Sequence, residues 1–452
     1  LRSLVGSEMC IRDRKREAEK ADKRKARKNN GAKRDMHYEM EQEEHDVYPD
    51  DPDFDINKAR LVTTAPRICV RYECVPMRFI KHVYKIHTYA QDGCLFEGKT
   101  PVSAFLNSSY DGSFIAGLME LRYIQSLPVE RIINYFESHG FTLKKPTAHK
   151  LMEKASSLFE NLYKCIRQTA LSDPYKAADE TYYKILVPEK NSKGKGVRKG
   201  YLWVVVGINT RMIYLLYDDG SRSEKVILNE LGGCKGIIQS DGYSPYRKLE
   251  SDAYPHITRI PCLQHIKRKF IDCGEDDPDA KRIVEMINTL YQNEHKHKIG
   301  VDGWTVEQNL VHRKKYAPDI LGEIKDVLDD IEERGDLLPK SELKEAITYL
   351  RNEWNAVVDI FNYGDTYLDN NIVERMNRYI SLSRKNSLFF GSHKGAERGA
   401  ILYTIALTCR MNKVNLFEYL TDIINRTAEW QPNTPLEKYR QLLPDRWEKA
   451  ND

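Results

Sequence analysis

The sequence predicts an α/β protein: a mixed sheet with flanking helices, a large helical insertion, and a helical region ahead of the sheet. Three patterns carry this. Residues 175–261 run strand, strand, strand, helix, strand, and then one more short strand. Residues 266–360 are highly charged and helical in pattern, interrupted at Gly300–Gly303 and Pro339. Residues 111–170 place apolar side chains at helical intervals. The 452 residues are 41% hydrophobic and 31% charged, enough for ordinary folded cores and against wholesale disorder. The longest apolar run, Tyr201–Ile208, falls far short of the roughly 20 residues a membrane helix needs, so no membrane partner is expected.

The elements are taken in chain order. Residues 1–59 read as a charged arm, disordered or helical. Residues 1–35 carry a net charge of +7 and residues 36–59 a net of −8, so the overall +4 hides two opposed blocks. The chain starts with Leu, as expected of a fragment or of a gene reading that ran through an upstream frame. Leu1–Arg14 resembles translated adapter sequence and is left out of the fold reasoning. Residues 60–110 form a small β-rich region, with Arg67–Tyr72 and Met77–His87 rich in β-branched and aromatic residues. Cys69, Cys74, His82, His87 and Cys94 lie there, but without the paired CxxC or CxxH spacing of a structural zinc site, so zinc is not expected. Nine scattered cysteines with no CxxC pair fit a reducing cytosol.

Residues 111–172 read as a helical region. Ser113–Tyr123 is one helix. Ser126 is expected to cap a second over Pro128–Ser138, closed by Gly140, and Pro146 opens a long third over Thr147–Thr169. Helix, short turn, helix fits a DNA-binding helix-turn-helix unit or a plain helical connector. The core proper is divided into 173–265, a helical insertion 266–365 and a final part 366–430, followed by a tail 431–452. In its first part Tyr175–Val187 is a strand. Tyr201–Asn209 and Met212–Asp218 form a hairpin, Ser221–Leu231 a short helix, and Gly236–Ser240 a buried strand ending at Asp241-Gly242.

Three acids stand out by position. Asp179 lies inside the first strand, Asp241 ends the fourth, and Glu374 sits in a helix of the final block. A carboxylate within a strand is expensive unless it is paired or metal-bound. Two strand aspartates and a helical glutamate make an oxygen-rich cage for Mg²⁺ or Mn²⁺, and two such ions serve phosphodiester chemistry. That order of acids is the one a ribonuclease H-like core requires. Serine, cysteine and tyrosine nucleophiles lack a base partner at recognisable spacing.

These residues sit in a run of words: LPVERIINYFESHGF, ADET, GYLWVVVG, QSDGYSPY, CLQHIKRKF, LDNNIVERMNR, SRKNSLFFGSHKGAERGA and LEKYRQLLPDRW. In content and order they resemble transposases of the insertion-sequence-66 family, in the DDE superfamily, over roughly residues 100–447. The resemblance implies that Asp179, Asp241 and Glu374 are the catalytic, metal-binding acids. It implies metal-dependent cleavage at insertion-element ends, then strand transfer into target DNA. It implies DNA as partner, a homo-oligomer on DNA, accessory proteins of the element, and a bacterial cytoplasmic, nucleoid-associated setting. The family's N-terminal leucine-zipper-like helix and zinc-knuckle cysteines are not intact here. That makes a catalytically silent DNA-binding remnant one rival reading; a related structure-selective nuclease, which cuts but does not join, is the other.

Neighbouring residues receive supporting roles. Glu180 follows Asp179 and by strand alternation points to the opposite face. Asp369 is expected to cap the Glu374 helix. His265, in Cys262-Leu-Gln-His265, is expected to contact phosphate or order a carboxylate, because only two metal ligands are visible there. Residues 374–413 carry a net charge of +6, which fits binding of backbone phosphates. Arg375, Arg378, Arg384, Lys385, Asn386, Lys394 and Arg398 are the expected DNA contacts, with Arg384, Lys385 and Asn386 in the family's basic word.

Overall fold

In a computed structural model, residues 42–449 are described, except 63, 64, 76, 77, 102, 106, 107, 191–193, 195, 275 and 432. The charged block over residues 1–35, including Leu1–Arg14, lies outside them. Gln42–Val47, expected within a charged arm, is a strand (β1). Strands β2 (Arg60–Leu61), β3 (Arg67–Val75), β4 (Arg78–Ile86), β5 (Thr88–Gln91) and β6 (Cys94–Glu97) follow. They make two small sheets, β1-β4-β3 and β2-β5-β6. β1 runs parallel to β4, from Gln42 opposite Lys81 to Val47 opposite Ile86. The acids that suggested an arm are matched from the β4 side. Glu44 pairs with Lys85, and Asp46 takes His87 at 2.8 Å.

The helical region begins with α1 (Gly112–Met119), capped by Asp111, and a π-turn over Glu120–Ile124. α2 (Val129–Ser138) has no side-chain cap. Ser126, the expected cap, instead adopts a left-handed φ of 57°, and its hydroxyl reaches the Tyr379 carbonyl at 3.5 Å. The expected long third helix is two, α3 (Lys145–Leu158) and α4 (Glu160–Ser172). They part at the buried Phe159, whose ψ of 3° turns the chain so that α4 lies under the sheet.

The main sheet holds β7 (Tyr175–Leu186), β8 (Val197–Gly207), β9 (Met212–Leu216), β10 (Gly236–Ser240) and β11 (Ile257–Pro261), in the order β11-β10-β7-β8-β9. β7, β8 and β9 are an antiparallel meander, while β10 and β11 run parallel to β7. Short helices α5 (Glu224–Leu231) and α6 (Ser244–Arg247) lie before and after β10. Trp203 and Val204–Val206 are fully buried, as strands covered on both faces must be.

The insertion consists of α7 (Leu263–Asp272), α8 (Pro278–His295), α9 (Val306–Arg334) and α10 (Glu342–Ile360). Asp277 caps α8, a Thr305/Gln308 capping box starts α9, and Ser341 caps α10. Their apolar faces share one core with Tyr175, Ile237 and Ile260 of the sheet. The insertion is therefore part of the platform around the strand ends.

The chain returns through α11 (Asn371–Ser387), β12 (Phe389–Phe390), α12 (His393–Met411), α13 (Leu416–Thr427) and α14 (Leu436–Arg440). α12 covers the sheet edge. The Thr404 and Thr408 hydroxyls accept the Leu215 and Ile213 N–H groups at 2.9 and 3.2 Å, blunting the free side of β9. Among the described residues, no helix is long and apolar enough to cross a membrane.

Candidate functional site

Strand register brings the first two acids together. β10 runs beside β7 with Ile237 opposite Tyr175, Ile238 opposite Lys176 and Gln239 opposite Ala177. Asp241 and Asp179 stand at the same sequence offset, two residues further on. They therefore adjoin at the carboxyl end of β10, where ligands bind open α/β sheets. Asp179 is half-buried. Its Oδ2 accepts from Asn377 Nδ2 at 2.7 Å and its Oδ1 from the Glu180 N–H at 2.8 Å. Burial, with the Glu180 and Asp241 carboxylates close by, pushes its carboxyl up to about 8.

That shift has a sign that can be tested. A carboxyl whose folded pKa lies above its unfolded value stabilises the fold fully below the unfolded value. The contribution is lost as pH rises through the folded one. In chelator, Asp179→Asn is expected to melt above the parent protein at pH values above about 8. The advantage should be about 1–3 kcal/mol and should close below about pH 4, where the parent carboxyl is protonated in both states. Thermal melts across pH check this; an unchanged or lowered melting temperature at high pH contradicts it.

Asp241 is held through both its side chain and its backbone. Its Oδ1 accepts from the Tyr243 N–H at 3.1 Å, and its carbonyl accepts from Arg259 Nη1 at 3.1 Å. The next residue, Gly242, donates its N–H to the Tyr349 hydroxyl at 2.8 Å. A Cβ at Gly242 would stand 2.5 Å from that hydroxyl. Gly242→Ala is therefore expected to destabilise by about 1–3 kcal/mol, read from urea unfolding.

Glu374 lies in the first turn of α11, and three ties hold that turn against the sheet. Asn370 Nδ2 donates to the Ala178 carbonyl at 3.0 Å. The Asn370 N–H donates to Cys262 Sγ at 3.2 Å, and Asn377 reaches Asp179 as above. Asp369 Oδ1 accepts from the Asn371 N–H at 3.1 Å, at the start of the same helix.

The three acids do not form one tight cluster. Among the described residues, Asp179, Asp241 and Glu374 do not have ligand oxygens all within 4.8 Å of one another. Asp179, Glu180 and Glu374 line a cleft of about 470 Å³ with Arg378 and Lys385. Asp241 lines another of about 370 Å³ with His265, Arg222, Arg268 and Lys269. Glu374 Oε1 faces His265 Nδ1 at 3.8 Å. Cys262 Sγ is the third atom of that group, and burial pushes its thiol up to about 12. The Glu180 carboxylate takes Arg222 Nε at 3.1 Å and the Tyr246 hydroxyl at 3.3 Å. Near the β-rich region, Glu43, His45 and His82 form a second group of potential ligands, and Cys69, Cys74 and Cys94 are not in it.

The basic residues divide by what they already touch. Arg384 donates to the Tyr182 carbonyl at 2.6 Å and lies over the Tyr182 ring, Asn386 donates to the Ser126 carbonyl at 3.0 Å, and Arg398 pairs with Glu153 at 2.6 Å. Lys394 is exposed on α12. Arg375 and Arg378 are exposed and line a third cleft, about 810 Å³, with Arg410 and Lys413.

A family model described as "Transposase IS66 family" matches residues 107–398, a span that includes all three acids. The chain belongs to that family. Relatives in Sinorhizobium fredii (strain NBRC 101917 / NGR234) carry no function in their names. Uncharacterized protein y4jD is 25% identical over 346 residues, covering 74% of this chain and 65% of its own length. Uncharacterized protein y4hP is 24% identical over 438 residues, 88% of this chain and 76% of its own. Uncharacterized protein y4qI is 26% identical over 385 residues, 81% and 69% respectively. The chain thus spans just under two thirds of y4jD. Several groups around this transposase-family site escape a reading of the sequence. Tyr349 and Arg222 have no motif of their own, whereas Asn377 stands in the word LDNNIVERMNR, Arg410 and Lys413 belong to the basic stretch 374–413, and Arg268 and Lys269 stand in the word CLQHIKRKF, where their basicity was the available signal.

Proposed function

We propose that this chain is a DDE transposase that cleaves DNA at insertion-element ends and joins the freed 3′-hydroxyl to target DNA. The shared offset that sets Asp241 beside Asp179 carries the reading. A meander followed by two strands parallel to its first member supports the ribonuclease H-like assignment. The donor set suits a hard divalent ion: all oxygen, with crowded carboxylates that raise the proton affinity of Asp179.

Asp179, Asp241 and Glu374 would hold Mg²⁺ or Mn²⁺, which when bound activates the attacking oxygen and stabilises the leaving one. Asn377 holds one Asp179 oxygen in place, and Arg259 and Tyr349 fix the turn that presents Asp241. Arg378 and Lys385 on one side, and Arg268 and Lys269 on the other, receive backbone phosphates, so the strand crosses both carboxylate-lined clefts. Two element ends must be held together for joining, which calls for a homo-oligomer on DNA. Labelled element ends, a supercoiled target and Mg²⁺ test the reading. Joined products are expected. Cleavage without joining favours a structure-selective nuclease, and neither product favours a silent DNA-binding remnant.

A further inference from the structure

The Glu374 side chain has a second set of neighbours that the carboxylate cage does not use. Cys262 caps α7 from the end of β11, His265 sits one turn into α7, and Glu374 approaches from α11. Cys262 Sγ, a His265 ring nitrogen and a Glu374 oxygen all lie within 4.8 Å of one another. His265 Nδ1 and Glu374 Oε1 are both buried, and neither has a hydrogen-bond partner. They face each other at 3.8 Å, beyond hydrogen-bond reach. Two buried polar atoms left empty and aimed at the same space call for an occupant. A thiol sulfur beside them sets its chemistry. Sulfur, imidazole and carboxylate together suit a borderline ion such as Zn²⁺ or Co²⁺, which takes three protein ligands and an open fourth position.

We propose that Cys262, His265 and Glu374 form a binding site for a zinc-class divalent ion, different in donor set from the all-oxygen Asp179/Asp241/Glu374 cage. Binding replaces the thiol proton with a metal–sulfur bond, and the proton leaves to solvent. The sulfur is braced for this, because it already accepts the Asn370 N–H at 3.2 Å. Ligands at about 2.0–2.3 Å from a central ion need only a small inward movement from the present spacing. The ion would withdraw one Glu374 oxygen from the cage. That consequence rests on the transposase reading; the binding itself does not.

Cobalt titration of the chelator-stripped full chain tests the site. One Co²⁺ per chain should give a thiolate-to-cobalt charge-transfer band. The band should vanish in Cys262→Ser, and Zn²⁺ should bind at least about tenfold more weakly to His265→Gln and Glu374→Gln. Asp241→Asn should keep the band, which separates this site from the cage. A band of full intensity in Cys262→Ser, or unaltered Zn²⁺ affinity in His265→Gln, would overturn the proposal. Cooperative melting verifies each variant's fold, and the partly exposed His265 carries the test if Cys262→Ser does not fold. Loss of DNA cleavage activity leaves the cobalt result standing, so the two readings fail separately.

Discussion

Substituting Asp241→Asn is expected to lower Mg²⁺-dependent end cleavage and joining by at least about 10³-fold while leaving the fold in place. The amide keeps an oxygen to accept the Tyr243 N–H, and the bracing of the turn by Arg259 and Tyr349 runs through backbone atoms. Only the charge is lost. Glu374→Gln and Asp179→Asn should abolish activity to the same degree, but their stabilities should separate. Glu374 stands in the first turn of α11, where a negative charge is worth about 0.3–1 kcal/mol, so its amide should melt slightly lower. Asp179 is crowded by other carboxylates, so its amide should melt higher at alkaline pH. Activity lost in all three variants, with stability unchanged, lowered and raised, is a pattern that general misfolding cannot produce. Full cleavage by Asp241→Asn refutes the assignment of the acids.

The main sheet was legible because strands covered on both faces read as β-rich runs, and because Asp241-Gly242 marks a strand end. The adjacency of the two aspartates needed the register of β10 on β7 as well, after which it is arithmetic, since a parallel register carries one offset along its length. Other features depend on partners far away in the chain. β1 looked like a charged arm because its acids are matched by Lys85 on β4 and His87 just past its end, which no local window contains. Phe159 breaks a helix that the apolar spacing runs through, because its burial outweighs helical continuity. Cys262 and His265 looked like a pair of ligands lacking a third, and the third is Glu374, delivered by a helix beyond the whole insertion. Arg384 reads as a phosphate contact from its basic word, yet its guanidinium is occupied by the Tyr182 carbonyl and ring. Charge in a sequence shows what a side chain offers and says nothing of what has already taken it.

The largest effect on stability should come from Glu353, far from any motif. Its side chain is fully buried on α10 and pairs with Arg259 Nη2, itself fully buried on β11. Arg259 Nε pairs with Glu250, and Nη1 donates to the Asp241 carbonyl. One guanidinium thus connects the insertion, the sheet and the turn that carries Asp241. Glu353→Ala removes the buried one of two carboxylate partners and leaves the Arg259 charge in a low-dielectric interior with Glu250 alone, which costs up to about 3–5 kcal/mol. The exposed Lys248–Glu224 pair is also in direct contact, at 2.6 Å, yet about half of each side chain is in water. Glu224→Ala should therefore cost no more than about 1 kcal/mol. Replacing both members of the buried pair, Arg259→Met with Glu353→Leu, should cost less than the sum of the single changes, since no fully buried charge is left alone and Glu250 is partly in water. The double variant should still cleave DNA poorly, because the Asp241 carbonyl has lost its Nη1 donor. Urea unfolding of the four proteins, with the cleavage assay on the double variant, decides this. Additive losses, or full cleavage by the double variant, would show that the insertion does not hold the Asp241 turn through Arg259.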